Sequence, residues 1–209
     1  MLKQVILVRH AEPMPLEEMI ANGLTDRPLT QRGLNQAQAV AENLAKVVSE
    51  STTRLLTSDV LRASETAAVI SKVTRIRAER YRELREISRG VAENASEAEA
   101  ALLALPKTSP ILDWVPYPKG ESWRMMNERI VGCLDAVAGD GRTENVVVVT
   151  HGNPLVVSVL WWQQLPEELW TKISYEFSWA SITQLTINRW GERTISYLNN
   201  TAHLRAEGL

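Results

Sequence analysis

Cysteine is nearly missing from this chain. Cys133 is the only one, so no intramolecular disulfide can form and nothing points to an oxidising compartment. It lies among Ile130, Val131, Leu134 and Val137 at helical spacing, which reads as a small buried apolar side chain and not as a reactive thiol. An excess of charge of either sign is missing too. Lysine and arginine number 23 against 25 acidic residues, and a formal net charge of −2 argues against a nucleic-acid partner. Histidine is scarce, with three residues and no close His, Cys or Asp spacing, so no metal site is expected. Long apolar runs are lacking as well. The run Val5, Ile6, Leu7, Val8 is broken by Arg9 and His10, too early for a signal-peptide core or a membrane span. A cytoplasmic protein with no membrane partner is the expectation.

What is present is an ordinary globular composition, 44% hydrophobic and 23% charged over 209 residues. That length suits one domain, 1–209, and lets roughly 70% of the unfolded surface be buried without covalent staples. Strand and helix signals alternate along it. Lys3 to Val8 is a β-branched run of the kind buried on both faces. Thr30 caps a helix with apolar positions from Leu34 to Val48, and Arg54 to Thr57 leads through Ser58 into a second helix. Ile76 marks a short strand. Ser96 to Leu105 is an alanine-rich amphipathic helix, followed by Pro106, Pro110, Pro116, Pro118 and Gly120. The stretch 88–120 therefore reads as an insertion over one end of the sheet, in which Ile111, Trp114, Val115 and Tyr117 need burial. Glu121 to Ala138 is helical, and Val146 to Val149 is the clearest parallel-strand signal. Asn153 can cap the next helix, with Pro154 in its first turn. Two late strands, Ser181 to Ile187 and Thr194 to Leu198, close the pattern. The alternation predicts an α/β fold: a three-layer α/β/α sandwich with a mostly parallel central sheet.

Two strand ends share one form. One strand runs into Arg9-His10-Ala11 and the other into Thr150-His151-Gly152. Ligands of open α/β sheets bind beyond the carboxyl ends of the strands, so both imidazoles are expected at that edge. Arg9 adjoins His10, and Arg62 sits one turn into a helix that follows a short strand. Planar guanidinium groups match a phosphate dianion bidentately.

At this point the chain resembles the histidine phosphatase (phosphoglycerate mutase-like) superfamily. Leu7-Val8-Arg9-His10-Ala11-Glu12 is similar to the opening signature of that superfamily. Asp26-Arg27-Pro28-Leu29-Thr30-Gln31-Arg32-Gly33 is similar to the segment that follows it, and Ser58 to Thr66 to the helix of the second arginine. Leu84-Arg85-Glu86 resembles the acidic segment, Val149-Thr150-His151-Gly152 the second-histidine strand, and Gly120-Glu121-Ser122 and Asn199 to Leu204 match in order. The resemblance implies a phosphoglycerate mutase-like fold with a small helical and loop lid. It also implies a phosphohistidine mechanism with no cofactor and no metal. His10 would be the nucleophile, Glu86 the proton donor to the leaving group, and His151 a further catalytic group. Arg9, Arg62, Asn22 and Gly152 would join the two histidines in binding phosphate. Arg89, Trp114 and Tyr117 are candidates for substrate contact from the lid, or for plain lid packing.

The chain also departs from the pattern. Ala11 replaces a glycine, Leu16 an asparagine and Asn22 a glutamine, and Val91-Ala92-Glu93 replaces tryptophan–glutamate–glycine. On the residues alone Glu86 could be a surface carboxylate paired with Arg82, Arg85 or Arg89. Trp161 and Trp162 fit either the core or a subunit contact, and His203 fits a structural role. Hydrolysis of a small phosphorylated metabolite is the expected function. Mutase-type phosphoryl transfer and a non-catalytic phosphate-binding or scaffold domain are the alternatives. A homodimer is compatible with the sequence.

Overall fold

Six strands form one sheet in the order β3-β2-β4-β1-β5-β6 in the structure, a computed structural model that describes residues 2–15, 24–206 and 208–209. The strands are β1 (Gln4–Arg9), β2 (Thr53–Ser58), β3 (Ala78–Tyr81), β4 (Asn145–Thr150), β5 (Ile182–Ile187) and β6 (Arg193–Asn200). The pairings β1·β4, β2·β4 and β2·β3 are parallel, whereas β5 and β6 add antiparallel at one side. The central strands are apolar without interruption because both faces are covered. Val5 and Leu7 of β1 and Val146 and Val148 of β4 enter one buried cluster, while Ile6, Val8, Val147 and Val149 enter the other. This alternation makes three layers.

One face carries α1 (Gln31–Leu44), α2 (Leu61–Thr74) and the short α6 (Ala202–Ala206). The other carries α4 (Trp123–Gly139) and α5 (Gly152–Gln163). Cys133 packs in the α4 layer, and burial pushes its thiol up to about 11, so it stays an unreactive apolar contact. Trp162 is buried in the same layer. Trp161 remains partly exposed, donating to Asp135 and lying under Arg193. Among the described residues no helix is long and apolar enough to cross a membrane.

Helix α1 starts where the sequence placed it. The Thr30 side chain accepts from Gly33 N at 2.8 Å, and Thr30 N donates to Glu12 O at 3.0 Å. A Cβ on Gly33 would lie 2.1 Å from Glu12 O, so only glycine lets the helix start this close to the exit of β1. Elsewhere the boundaries shift. Ile76 precedes β3 and is buried beneath it, because α2 ends at Arg75 in a left-handed cap. The lid helix α3 (Glu97–Leu103) is shorter than Ser96 to Leu105, with Ser96 and Glu99 closing a capping box. The start of α5 differs more. Its N-cap is His151, and Asn153 and Pro154 lie inside the first turn.

Candidate active site

Strands β1 and β4 run parallel in register, with Arg9 opposite Thr150, so His10 and His151 leave neighbouring strands at the same edge. His10 N donates to Thr150 O at 2.9 Å and locks the two exits together. The rings lie 5.2 Å apart between centroids, tilted by 59°. Both are buried, His10 to 5% exposure and His151 to 1%.

His10 Nδ1 lies 2.8 Å from Ala11 O. A carbonyl can only accept, so the proton of the neutral ring sits on Nδ1 and the lone pair on Nε2. Arg62, buried on the first turn of α2, reaches that lone pair with Nε at 3.2 Å and holds Thr25 O with Nη1 at 2.9 Å. Arg9 anchors on Phe177 O and lies beside the half-exposed Trp179 ring, 5.9 Å from its centroid. Ala11 has ordinary backbone angles, is fully buried and donates to Thr66 Oγ1 at 3.0 Å, so the usual glycine is not needed there. On the other ring, His151 Nε2 is 2.9 Å from Ser58 Oγ, while its buried Nδ1 has no partner among the described residues.

Electrostatics set the protonation states. Burial, followed by the charge of Arg62 and then those of Arg9 and Arg27, holds His10 well below its ordinary 6.5. Burial and the neighbouring His10, Arg62 and Arg9 do the same to His151. Both rings are therefore neutral at neutral pH. Burial lowers Arg62 to about 10, with Arg27 the next cause, and it stays a cation. Glu86 responds oppositely. Burial of its carboxyl raises it, against the opposing pull of hydrogen bonds from Ile87 N at 2.8 Å and from Asn153, and of the Arg62 charge. The Asn153 backbone N–H approaches at 3.3 Å, and its side chain also bonds the carboxyl. That contact explains the revised start of α5: Asn153 serves Glu86 and does not cap the helix. Two neutral imidazoles, a raised carboxyl and three guanidinium groups converge at the carboxyl edge of the sheet.

The profile of the histidine phosphatase superfamily (branch 1) matches residues 5–201. The chain belongs to this superfamily. A probable phosphoglycerate mutase of Photorhabdus laumondii is 33% identical over 152 residues, which is 71% of this chain and 69% of the relative. The phosphoglycerate mutase-like protein 4 of Arabidopsis thaliana is 29% identical over 213 residues, covering 97% of this chain and 90% of its own. Among solved structures, the alpha-ribazole phosphatase of Shigella flexneri superposes with a TM-score of 0.78 at 20% identity, covering 94% of this chain and 96% of that one. A mycobacterial glucosyl-3-phosphoglycerate phosphatase gives 0.75 at 22%, covering 95% and 99%. At these identities the two structures bear on the fold.

Of the residues expected from the sequence, Arg9, His10, Arg62, Glu86 and His151 come together. Gly152 joins them: a Cβ there would sit 3.9 Å from Glu86 Oε2. Asn22, like Leu16, lies outside the described residues. Glu86 is not a partner of the nearby arginines. Arg85 forms a bidentate pair with Asp59 at 2.6 Å, and Arg89 turns to Tyr117. In the lid, Arg89 donates to Tyr117 Oη at 2.7 Å and stacks 4.9 Å from its ring centroid. Trp114 donates to Leu105 O and walls a cavity of about 450 Å³ with Trp123 and Trp170, a cavity that none of the five convergent residues lines. Ile111 is exposed, and its neighbour Leu112 supplies the buried contact instead. His203 donates to Ala180 O at 3.0 Å, a structural bond.

Other residues that meet this cluster were not singled out from the sequence. Arg27 was read only as part of a matching segment, yet its charge reaches both His10 and Arg62. Arg129 clamps the carbonyls of Glu83, Arg85 and Glu86 from α4 and so fixes the acid's backbone. Ser58 holds His151. A serine closing a strand beside the second-histidine strand was the available signal for it.

Proposed function

We propose that this protein is a metal-independent phosphomonoesterase that hydrolyses a small phosphorylated metabolite through a phosphohistidine on His10. The observation that carries the reading is the pair of buried neutral imidazoles, one with its Nε2 lone pair facing Arg62. His10 Nε2 attacks phosphorus as the bond to the leaving oxygen breaks. Arg9, Arg62 and His151 take the charge of the three phosphoryl oxygens. Glu86, raised by burial, gives its proton to the departing alkoxide. Water then attacks the phosphohistidine, Glu86 accepts the water's proton, and inorganic phosphate leaves with His10 restored. Phosphoryl transfer asks mostly for positioning and charge stabilisation, which this set of donors supplies without a cation.

Relatives named as phosphoglycerate mutases favour a second reading, in which the phosphohistidine passes to a second hydroxyl and not to water. The two separate in one assay. Hydrolysis of p-nitrophenyl phosphate and a panel of phosphorylated metabolites is measured in EDTA, beside His10→Ala. Metal-independent turnover lost in the variant is expected. Activity that EDTA abolishes would overturn the metal-free mechanism. Turnover of 3-phosphoglycerate only when 2,3-bisphosphoglycerate is added would favour the mutase.

A further inference from the structure

Ser58 closes β2, the strand that pairs with β4 in the register Thr57 to Val149, so its side chain lies beside the residues that follow β4. Its hydroxyl is fully buried and has two neighbours in hydrogen-bonding range: Val60 N at 3.3 Å and His151 Nε2 at 2.9 Å. The first can only donate. The hydroxyl's single proton therefore has one acceptor among the described residues, His151 Nε2. Were that nitrogen protonated, Ser58 Oγ would face two donors and its own proton would be buried with no acceptor, an arrangement native interiors avoid. With Nε2 accepting, the proton of the neutral ring must sit on Nδ1. That atom is buried with no hydrogen-bond partner among the described residues, on a ring whose centroid lies 5.2 Å from that of His10.

We infer that Ser58 is a positioning residue that fixes His151 as its Nδ1–H tautomer, so that a neutral N–H donor is presented to the phosphoryl oxygens. The role of the donor rests on the proposed phosphoryl chemistry; the tautomer does not. The two catalytic imidazoles then carry the same tautomer for opposite purposes. Ala11 O holds the proton of His10 away so that Nε2 is bare, and Ser58 holds the bare nitrogen of His151 away so that Nδ1–H is offered. A neutral donor adds no cation to the three guanidinium groups already there, and it cannot be mistaken for a second nucleophile.

Only three histidines are present, so long-range ¹H–¹⁵N spectra of the imidazoles resolve each ring, with His203→Gln and His10→Gln supplying assignments. His151 should be protonated on Nδ1 and bare on Nε2 in the wild type. A proton on Nε2 would overturn the inference outright, whether or not any variant folds. Ser58→Ala should mix or reverse the tautomer and lower kcat about tenfold, the worth of one such bond. A Ser58→Ala ring that keeps Nδ1–H would show that serine does not set it. Added inorganic phosphate should shift both His10 and the Nδ1–H of His151. If His10 moves and His151 does not, the donor role fails. If neither moves, it is the phosphate chemistry that fails, and the tautomer still stands or falls on the first spectrum.

Discussion

The sheet edge and the lid that rises beside it are built on different principles. At the edge, His10, Arg62 and His151 are buried, and each is held by a named bond from an element of the sheet or its helices. In the stretch 88–120, the buried apolar side chains are Ala92, Ala100 and Leu112, and Leu102 is 88% exposed. Polar latches hold it instead. The Glu93 carboxylate accepts from Arg89 N and from Leu24 N, both at 2.7 Å, and Thr25 Oγ1 donates to Asn94 at 2.8 Å. Those latches end on the loop whose Thr25 carbonyl Arg62 holds, so that carbonyl ties the lid to the cradle. In the proposed reaction, rigid packing sets the reacting atoms, and a thinly packed, polar-latched cover is free to vary with the leaving group.

Breaking the rigid side should produce the largest effect. Arg62→Ala removes a proposed phosphoryl ligand and the anchor of Thr25, and kcat should fall on the order of a hundred- to a thousand-fold, read by steady-state kinetics. A loss confined to KM would mean that Arg62 only binds substrate. Glu86→Gln sharpens the comparison from inside the cradle. Alkyl phosphates, whose leaving groups need a proton, should slow far more than aryl phosphates. The raised Glu86 also predicts a sign for stability. A carboxyl whose folded value lies above its unfolded one of about 4.5 costs stability as pH climbs through the folded value. The glutamine variant should therefore melt a few degrees higher than the wild type at neutral pH, and equal melting curves would contradict the burial. The smallest effect belongs to the lid. Arg89→Ala breaks the stack on Tyr117, and KM should change severalfold in a substrate-dependent way while kcat on p-nitrophenyl phosphate stays within about threefold, the scale of a single exposed or half-exposed contact. A collapse of kcat on every substrate would place Arg89 in the cradle after all.

This difference also explains what could be read from the sequence. The strand ends Arg9-His10 and Thr150-His151 were legible because a polar pair breaking an apolar run is a local signal, and parallel register then brings the ends together. Arg62 was legible from its place one turn into a helix. The partners that tune these groups were not, because their bonds cross between elements. Ser58 meets His151 only through the pairing of β2 with β4, and Arg129 meets the backbone of Glu86 only because α4 packs across it. Asn153 was misread for the same reason. Its cap potential is visible in sequence, whereas the carboxylate that takes it comes from the segment after β3. In the lid, Ile111 was expected to be buried. With so small a core there, Leu112 takes the buried place and Ile111 turns outward. The departure Val91-Ala92-Glu93 likewise had no meaning until Glu93 was found to latch the lid to Leu24.

The central claim is a covalent bond between phosphorus and His10 Nε2. Wild-type enzyme mixed with a fast-leaving aryl phosphate, quenched with base within one turnover and digested for mass spectrometry, tests it directly. The account predicts one acid-labile phosphoryl group on the peptide carrying His10, and none on the His151 peptide. A phosphoryl group on His151, or burst-free turnover with no phosphorylated peptide at any quench time, would contradict it.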